Sequence, residues 1–435
     1  MDAAVLYGTY GEDVGTASRP SGVRRAVAAR LPRLSMCAAA LVGGTAVACG
    51  ATPVAPVVST PTPSLTAGQS PVAPPTATAS PSASACTPLT AVEAWPLARR
   101  AAQLVVVPAL DGRASALIAA ITQGAGGVLL LGSASADLRT QVASADRAAS
   151  IRLLVMADEE GGGVQRLGTL VRDLPWPRSM AQTMTPAAVE SAAAQVGAQM
   201  KALGVDVDLA PVLDLDAGAG PNDSDVVGMR SFSADATVAA TYGLAFAHGL
   251  QRAGVLAVAK HFPGLGGASG NTELGRSTTL PLATLQQGAL LPYRSAVSGG
   301  VNAVMVSHAT VPGLTSGPAS LSSAAITGLL RQKLGFHGLV MTDSLSAGAI
   351  SAAGDTVPSA AVSAVSAGAD MVLFGSTLNA AQQQLLAPSA VAQSLTAIVN
   401  ALVSAVQDGR LPSSRLDDAV LHVLSAKGVD PCAIH

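Results

Sequence analysis

The chain has 435 residues, with 25 Lys and Arg against 27 Asp and Glu, for a formal net charge of −2. That near balance removes the electrostatic ground for a nucleic-acid partner. With 12% charged and 49% hydrophobic residues, of which only 3% are aromatic, the composition excludes a coiled coil and suits a large Ala/Val/Leu core.

Residues 1–49 read as an address. Arg19, Arg24, Arg25, Arg30 and Arg33 precede an apolar run over 36–48 and then Cys49. A basic region, a short apolar region and small residues before a cut are the pattern of a secretory signal. The stretch Thr45-Ala46-Val47-Ala48-Cys49 is similar to a bacterial lipobox, in which Cys49 takes lipid after cleavage before it. Simple cleavage and a membrane-spanning anchor are the alternatives, although the apolar run falls short of the roughly 20 residues that span a bilayer. Residues 50–86 are almost wholly Pro, Ala, Thr, Ser and Val and carry no charge, which suits an extended tether. The expected location is the outer face of a bacterial cytoplasmic membrane, held by a lipid anchor. In that oxidising setting Cys86 and Cys432, which bracket the rest of the chain, are expected to form a disulfide; a buried pair of free thiols is the alternative.

From residue 87 onward a unit repeats: a short Val-rich run, then a longer amphipathic segment. The runs cover 103–108, 127–131, 152–158, 205–211, 255–261, 301–308, 338–343 and 369–375. Continuous rather than alternating apolar runs indicate strands buried on both faces of a parallel sheet. Helical stretches lie between them, over 185–203, 233–253, 282–298 and 322–334, with closing helices in 391–427. Eight strand–helix units predict a (β/α)8 barrel as one domain, 87–435.

Chemistry in such barrels sits at the C-terminal ends of the strands. The third run ends in Asp158-Glu159-Glu160, the fifth in Lys260-His261, the sixth in Ser307-His308 and the seventh in Asp343, while Asp214 and Asp216 follow the fourth. Ionisable groups at five strand ends, in a chain with so few charges, mark an active site. Six scattered His give no metal-ligand spacing, and the Cys form no C-x-x-C pair, so no metal is expected. The G-x-S-x-G elbow and a G-x-G-x-x-G after the first strand are both absent, which argues against serine hydrolysis and against a dinucleotide cofactor; no cofactor is expected. Asp343 is the best nucleophile. It ends an apolar strand and could attack an anomeric carbon to form a glycosyl-enzyme. Asp158, Arg166, Arg230, Lys260, His261 and His308 would then hydrogen-bond the sugar.

Five ordered motifs resemble family 3 glycoside hydrolases. Asp158-Glu159-Glu160-Gly161-Gly162-Gly163-Val164-Gln165-Arg166 looks like D-x-E-G-G-x-V-Q-R, and Lys260-His261-Phe262-Pro263-Gly264 matches K-H-F-P-G. The segments 207–214, 229–232 and 341–345 also fit in the family's order. The resemblance is to single-domain β-N-acetylglucosaminidases, several of them exported lipoproteins. It implies Asp343 as nucleophile and Asp158, Arg166, Arg230, Lys260 and His261 on the non-reducing sugar.

One loop departs from the pattern. Where the family continues H-G-x-x-x-x-D-S-H, with an Asp–His dyad as acid/base, this chain has Asn271 and Glu273 in place of the Asp and His. Glu273 is the only carboxylate between Pro263 and Arg276, and a carboxylic acid can serve as acid/base. An ionised Glu273 would repel phosphate, so hydrolysis is expected over phosphorolysis. The leading expectation is a monomeric exo-acting β-N-acetylglucosaminidase for cell-wall fragments. A sugar-binding lipoprotein with a degenerate loop is the rival, and a Schiff-base lyase using Lys260 a third.

Overall fold

The computed structural model describes residues 86–376 and 380–434, so the export signal, the lipidation of Cys49 and the tether lie outside the described residues. Each Val-rich run contains one strand: β1 (Val105–Leu110), β2 (Gly127–Leu131), β3 (Leu154–Ala157), β4 (Val207–Asp208), β5 (Leu256–Phe262), β6 (Ala303–Val306), β7 (Leu339–Ser344) and β8 (Met371–Leu373). All pair in parallel with their chain neighbours, and β8 pairs with β1, so the sheet closes into a barrel.

Alternation along each strand divides the apolar residues between two cores. Val106, Leu129, Leu154, Met156, Val207, Leu209, Val258, Met305 and Met341 fill the barrel interior. Their neighbours Val105, Val107, Val128, Val155, Ala257, Val304 and Val340 point outward against the helices. That double burial is why the runs read as unbroken apolar sequence.

The helices are bounded by local signals. α1 (Pro186–Leu203) starts at Thr185, whose hydroxyl accepts from the Ala188 amide, and stops at Gly204 with φ 85°. α2 (Ala236–Arg252) starts at Asp235, whose carboxylate accepts from Thr237 and Val238 amides. The two pack closely because Gly249 lies on the contact; a Cβ there would meet the Glu190 carbonyl at 2.3 Å. α3 (Pro388–Gln407) is long and apolar enough to cross a membrane by length and composition alone, but Val391, Leu395, Ile398, Leu402 and Ala405 form one helical face buried on the barrel. α4 (Ser413–Lys427) closes the domain.

Two expected helices differ. The stretch 282–298 breaks at Gly288 into Leu282–Gln287 and Leu290–Ser298, where the glycine leaves the helical region with φ −145° and ψ −68°. The stretch 322–334 is a π-helix over Ala324–Lys333, with i→i−5 bonds such as Leu334 N to Leu329 O at 3.0 Å. Cys86 and Cys432 are joined by a disulfide across a sequence separation of 346 residues. It secures the short helix Pro88–Glu93, which packs on α4.

Candidate active site

The strand phase that fills the interior also aims the site residues. Leu154 and Met156 point inward on β3, so Asp158 two residues on lies above them; Val258 on β5 does the same for Lys260, and Met341 on β7 for Asp343. These three side chains meet in a cavity at the C-terminal mouth of the barrel, with about 950 Å³ free of protein atoms. Its polar wall includes Asp158, Glu160, Arg166, Arg230, Lys260, His261, Glu273 and Asp343, over a floor of Leu129, Leu209, Met305 and Leu373.

A buried charge network occupies one side. The Lys260 ammonium lies 2.5 Å from Asp158 Oδ1 and 2.6 Å from Glu160 Oε1. Arg230 grips Glu160 bidentately, Nε to Oε2 and the terminal NH2 group to Oε1, both at 2.8 Å. Burial alone would raise the Glu160 carboxyl, but Arg230 and Lys260 outweigh it and hold it well below the usual range. Burial likewise pulls Lys260 down, and the charges of Asp158 and Glu160 more than reverse this. Glu159, between the two, turns away. Its oxygens accept from the Leu167 amide and Gln165 Nε2, bracing the hairpin that carries Arg166, and burial pushes its carboxyl up to about 7.

The two histidines have different places. His261 lines the cavity beside Lys260, because the ladder shifts register between Ala259 and Phe262 and strict alternation lapses. Its Nδ1 lies 2.7 Å from Asp214 Oδ2, and Asp214 also accepts from the Leu265 amide. His308 does not line the cavity, contrary to its expected contact with the sugar. Met305 is the interior residue of β6, so His308, three residues on, falls on the opposite phase. Both its ring nitrogens are engaged, Nδ1 with Ser320 Oγ at 2.7 Å and Nε2 with the Ser344 carbonyl at 2.8 Å. It therefore buttresses the end of β7 from behind.

Asp343 and Glu273 face the same cavity with opposite electrostatics. Burial raises the Asp343 carboxyl, but the charges of His308, His261 and Lys260 and the Ser344 amide, which donates to Oδ1 at 2.8 Å, hold it below the ordinary carboxylate value. Burial also pulls the His308 proton off at lower pH than usual, while the Lys260 ammonium adds its charge in favour of the Asp343 anion. Glu273 is pushed up to about 8 by burial and by the negative charges of Asp343 and Asp158, against the opposing hydrogen bond from Ser376. One carboxyl is thus an anion and its neighbour an acid at neutral pH. Glu273 Oε2 is buried without a hydrogen-bond partner, an uncommon state that a substrate oxygen can relieve.

The loop that carries Glu273 is pinned. Asn271 Oδ1 accepts from the Glu273 amide at 2.9 Å, and the amides of Gly348 and Ala349 donate to the carbonyls of Glu273 and Thr272, both at 2.9 Å. Gly348 is required by the closeness of this contact, since a Cβ there would meet Leu274 backbone atoms at 2.5 Å. Glu160 and Asp214 were marked in the sequence as strand-end acids but given no role, and Ser376, which also lines the cavity, was not singled out. Glu160 was legible as the third acid of the Asp158 motif; Ser376 carried no signal.

The glycosyl hydrolase family 3 N-terminal domain matches residues 99–426. The chain belongs to glycosyl hydrolase family 3. Beta-hexosaminidase LpqI of Mycobacterium tuberculosis is 40% identical over 286 residues, 64% of this chain and 69% of the relative. A beta-hexosaminidase of Methylococcus capsulatus is 33% identical over 313 residues, 68% of this chain and 88% of that one. Among solved structures, M. tuberculosis LpqI superposes with TM-score 0.70 at 36% identity, covering 80% of this chain and 98% of the other. A beta-N-acetylhexosaminidase from Beutenbergia cavernae gives 0.67 at 30% identity, covering 77% and 99%. The (β/α)8 barrel is thus a family 3 glycosidase barrel, and the chain is a glycoside hydrolase.

Proposed function

We propose that this family 3 enzyme is a retaining exo-β-N-acetylglucosaminidase, with Asp343 as nucleophile and Glu273 as acid/base. The observation that carries the reading is the pairing in one cavity of an ionised strand-end carboxylate with a protonated carboxyl whose Oε2 has no hydrogen-bond partner. The names of relatives with whole-barrel likeness favour a terminal N-acetylhexosamine as the sugar. Asp158, Lys260, Arg230 and His261 would hold its hydroxyls, while Arg166 closes the hairpin side.

In the first half-reaction an Asp343 oxygen bonds to the anomeric carbon as the glycosidic C–O bond breaks. The Glu273 proton passes to the departing oxygen, so the aglycone leaves as an alcohol. Asp343 is now a neutral ester and Glu273 an anion. In the second half, water gives a proton to Glu273 and attacks the same carbon, releasing Asp343. An anionic Glu273 at that stage repels phosphate more than water, which favours hydrolysis. His308, locked to the Ser344 carbonyl, keeps the nucleophile's strand end in place.

The reading extends to the cell. The basic run, the apolar stretch and the lipobox-like Cys49 support an exported lipoprotein on a Pro-rich tether, acting on N-acetylglucosamine-bearing wall fragments as a monomer. Metabolic labelling with a fatty acid would mark the wild type and leave Cys49→Ala unlabelled.

The test of the catalytic roles is kinetic. On two aryl β-N-acetylglucosaminides, one with a good and one with a poor leaving group, Asp343→Ala should lose on the order of 10⁴-fold or more on both. Glu273→Ala should lose about 10²- to 10⁴-fold on the poor leaving group, spare the activated one and recover with azide. A wild type that binds N-acetylglucosamine but turns over neither substrate would make the sugar-binding lipoprotein the better account.

A further inference from the structure

Asp214 is fully buried past the end of β4 and does not line the cavity, yet it is bonded to the one histidine that does. The chain that carries it runs beside the end of β5: the Lys260 amide donates to the Pro211 carbonyl at 3.0 Å, and the Leu213 amide donates to the Lys260 carbonyl at 2.7 Å. Its two oxygens have separate tasks. Oδ1 accepts from the Leu265 amide at 2.7 Å, at the root of the loop that carries Glu273, and Oδ2 lies 2.7 Å from His261 Nδ1. The His261 ring is thus tied at one nitrogen to a carboxylate that is itself fixed by the backbone.

We propose that Asp214 is a positioning residue for sugar recognition, which keeps a proton on His261 Nδ1 and so presents Nε2 to a sugar hydroxyl. The proposal rests on the reading of His261 as a sugar ligand. A carboxylate only accepts, so the hydrogen in the short contact belongs to Nδ1, and in the neutral ring Nε2 becomes an acceptor. That matters beside Lys260, Arg230 and Arg166, whose side chains can only donate. A sugar hydroxyl both gives and takes a hydrogen bond, and the ring supplies the half that the cations cannot. The Leu265 contact makes one substitution diagnostic. In Asp214→Asn the amide oxygen is claimed by the Leu265 amide, so the NH2 group takes the place of Oδ2 and donates to Nδ1. The ring proton must then move to Nε2, where it opposes a donating hydroxyl.

The experiment uses the full chain labelled with 15N-histidine and compares wild type, Asp214→Asn, His261→Ala and the double variant. Long-range 1H–15N spectra, with the His261 signal identified by its loss in His261→Ala, should show Nδ1 protonated in wild type and Nε2 alone protonated in Asp214→Asn. On the two aryl β-N-acetylglucosaminides Asp214→Asn should lose roughly 10- to 100-fold in kcat/KM, equally for the good and the poor leaving group, because the ring holds the sugar and not the aglycone. The double variant should lose no more than His261→Ala alone, since Asp214 acts through that ring. A bare Nδ1 in wild type overturns the proposal, and this spectrum decides even where Asp214→Asn does not fold. An unmoved proton in a folded Asp214→Asn, or losses that multiply in the double variant, overturns it as well. If His261→Ala keeps full activity, the reading of His261 as a sugar ligand fails and takes this one with it.

Discussion

Two buried carboxylates at opposite ends of the barrel have nearly the same surroundings and different uses. At the C-terminal mouth Glu160 is held by Arg230 and Lys260. At the start of β8, on the N-terminal side, Asp370 is held by Arg331 at 2.6 Å and Arg415 at 2.7 Å, accepts from the Val340 amide, and has His422 at 3.2 Å. Burial would raise both carboxyls, and in both the surrounding cations win and lower them. The difference lies in what is left over. Around Asp370 both oxygens are taken by guanidinium groups, so although Asp370, Asp418 and His422 lie within ligand reach of one point, a metal ion would have to compete with two fixed cations. The cluster ties the π-helix and α4 to β7 and β8. Around Glu160 the network opens into a cavity in which Asp158 is partly exposed and Glu273 Oε2 is unpartnered. A perturbed carboxyl marks a site only when its neighbourhood has unspent bonding capacity.

Mutations at the two ends sharpen this contrast. The largest effect is expected from Asp370→Asn, which leaves two guanidinium groups facing a neutral amide. Urea denaturation should show a loss of about 3–5 kcal/mol, with kcat per folded molecule unchanged. Glu160→Gln should do the reverse: a modest loss of stability, but about 10²-fold lower kcat/KM, since Lys260 and Arg230 lose the anion that aligns them. If the Asp370 variant is the one that loses activity, the division between the two clusters is wrong. Gly348→Ala is smaller and more local. Its methyl group would force the Glu273 loop outward, so the poor-leaving-group substrate should slow about tenfold while the activated one is largely spared.

The smallest effect concerns pH. His422 is raised above its ordinary value by the Asp370 carboxylate, which lies 3.2 Å from its Nδ1, against burial. A raised folded value means the protonated ring stabilises the fold fully below its unfolded value of about 6.5, and that this contribution fades as pH rises through the folded one. His422→Gln should therefore cost about 1 kcal/mol or less, visible in the denaturation midpoint at mildly acidic pH and vanishing in alkaline buffer. An equal loss at both pH values would contradict the assignment.

The barrel was legible because strands buried on both faces write continuous Val-rich runs, and every run holds a strand. Asp158, Lys260 and Asp343 were legible for a related reason: they end such runs, and the phase of the interior residues carries their side chains over the barrel axis. The same phase rule places His308 behind the site, a consequence that a list of strand-end residues does not expose. The break at Gly288 was hidden because a single glycine in an amphipathic stretch does not interrupt the periodicity. Glu273 stood out as the one carboxylate of a glycine-rich loop and as the residue in place of the family's acid/base His. Ser376 was invisible, since one serine among many says nothing until the fold brings β8 beside the loop from β5.

The central claim is that Asp343 becomes covalently bonded to the sugar while Glu273 manages the proton. In Glu273→Ala, an activated aryl β-N-acetylglucosaminide should still form the glycosyl-enzyme, but its hydrolysis should be slow, so the intermediate accumulates. Intact-protein mass spectrometry after rapid quenching should show one added N-acetylhexosaminyl unit, and proteolysis should place it on the peptide that contains Asp343. An enzyme that turns over the substrate with no adduct, or one whose adduct maps to another residue, would contradict the account.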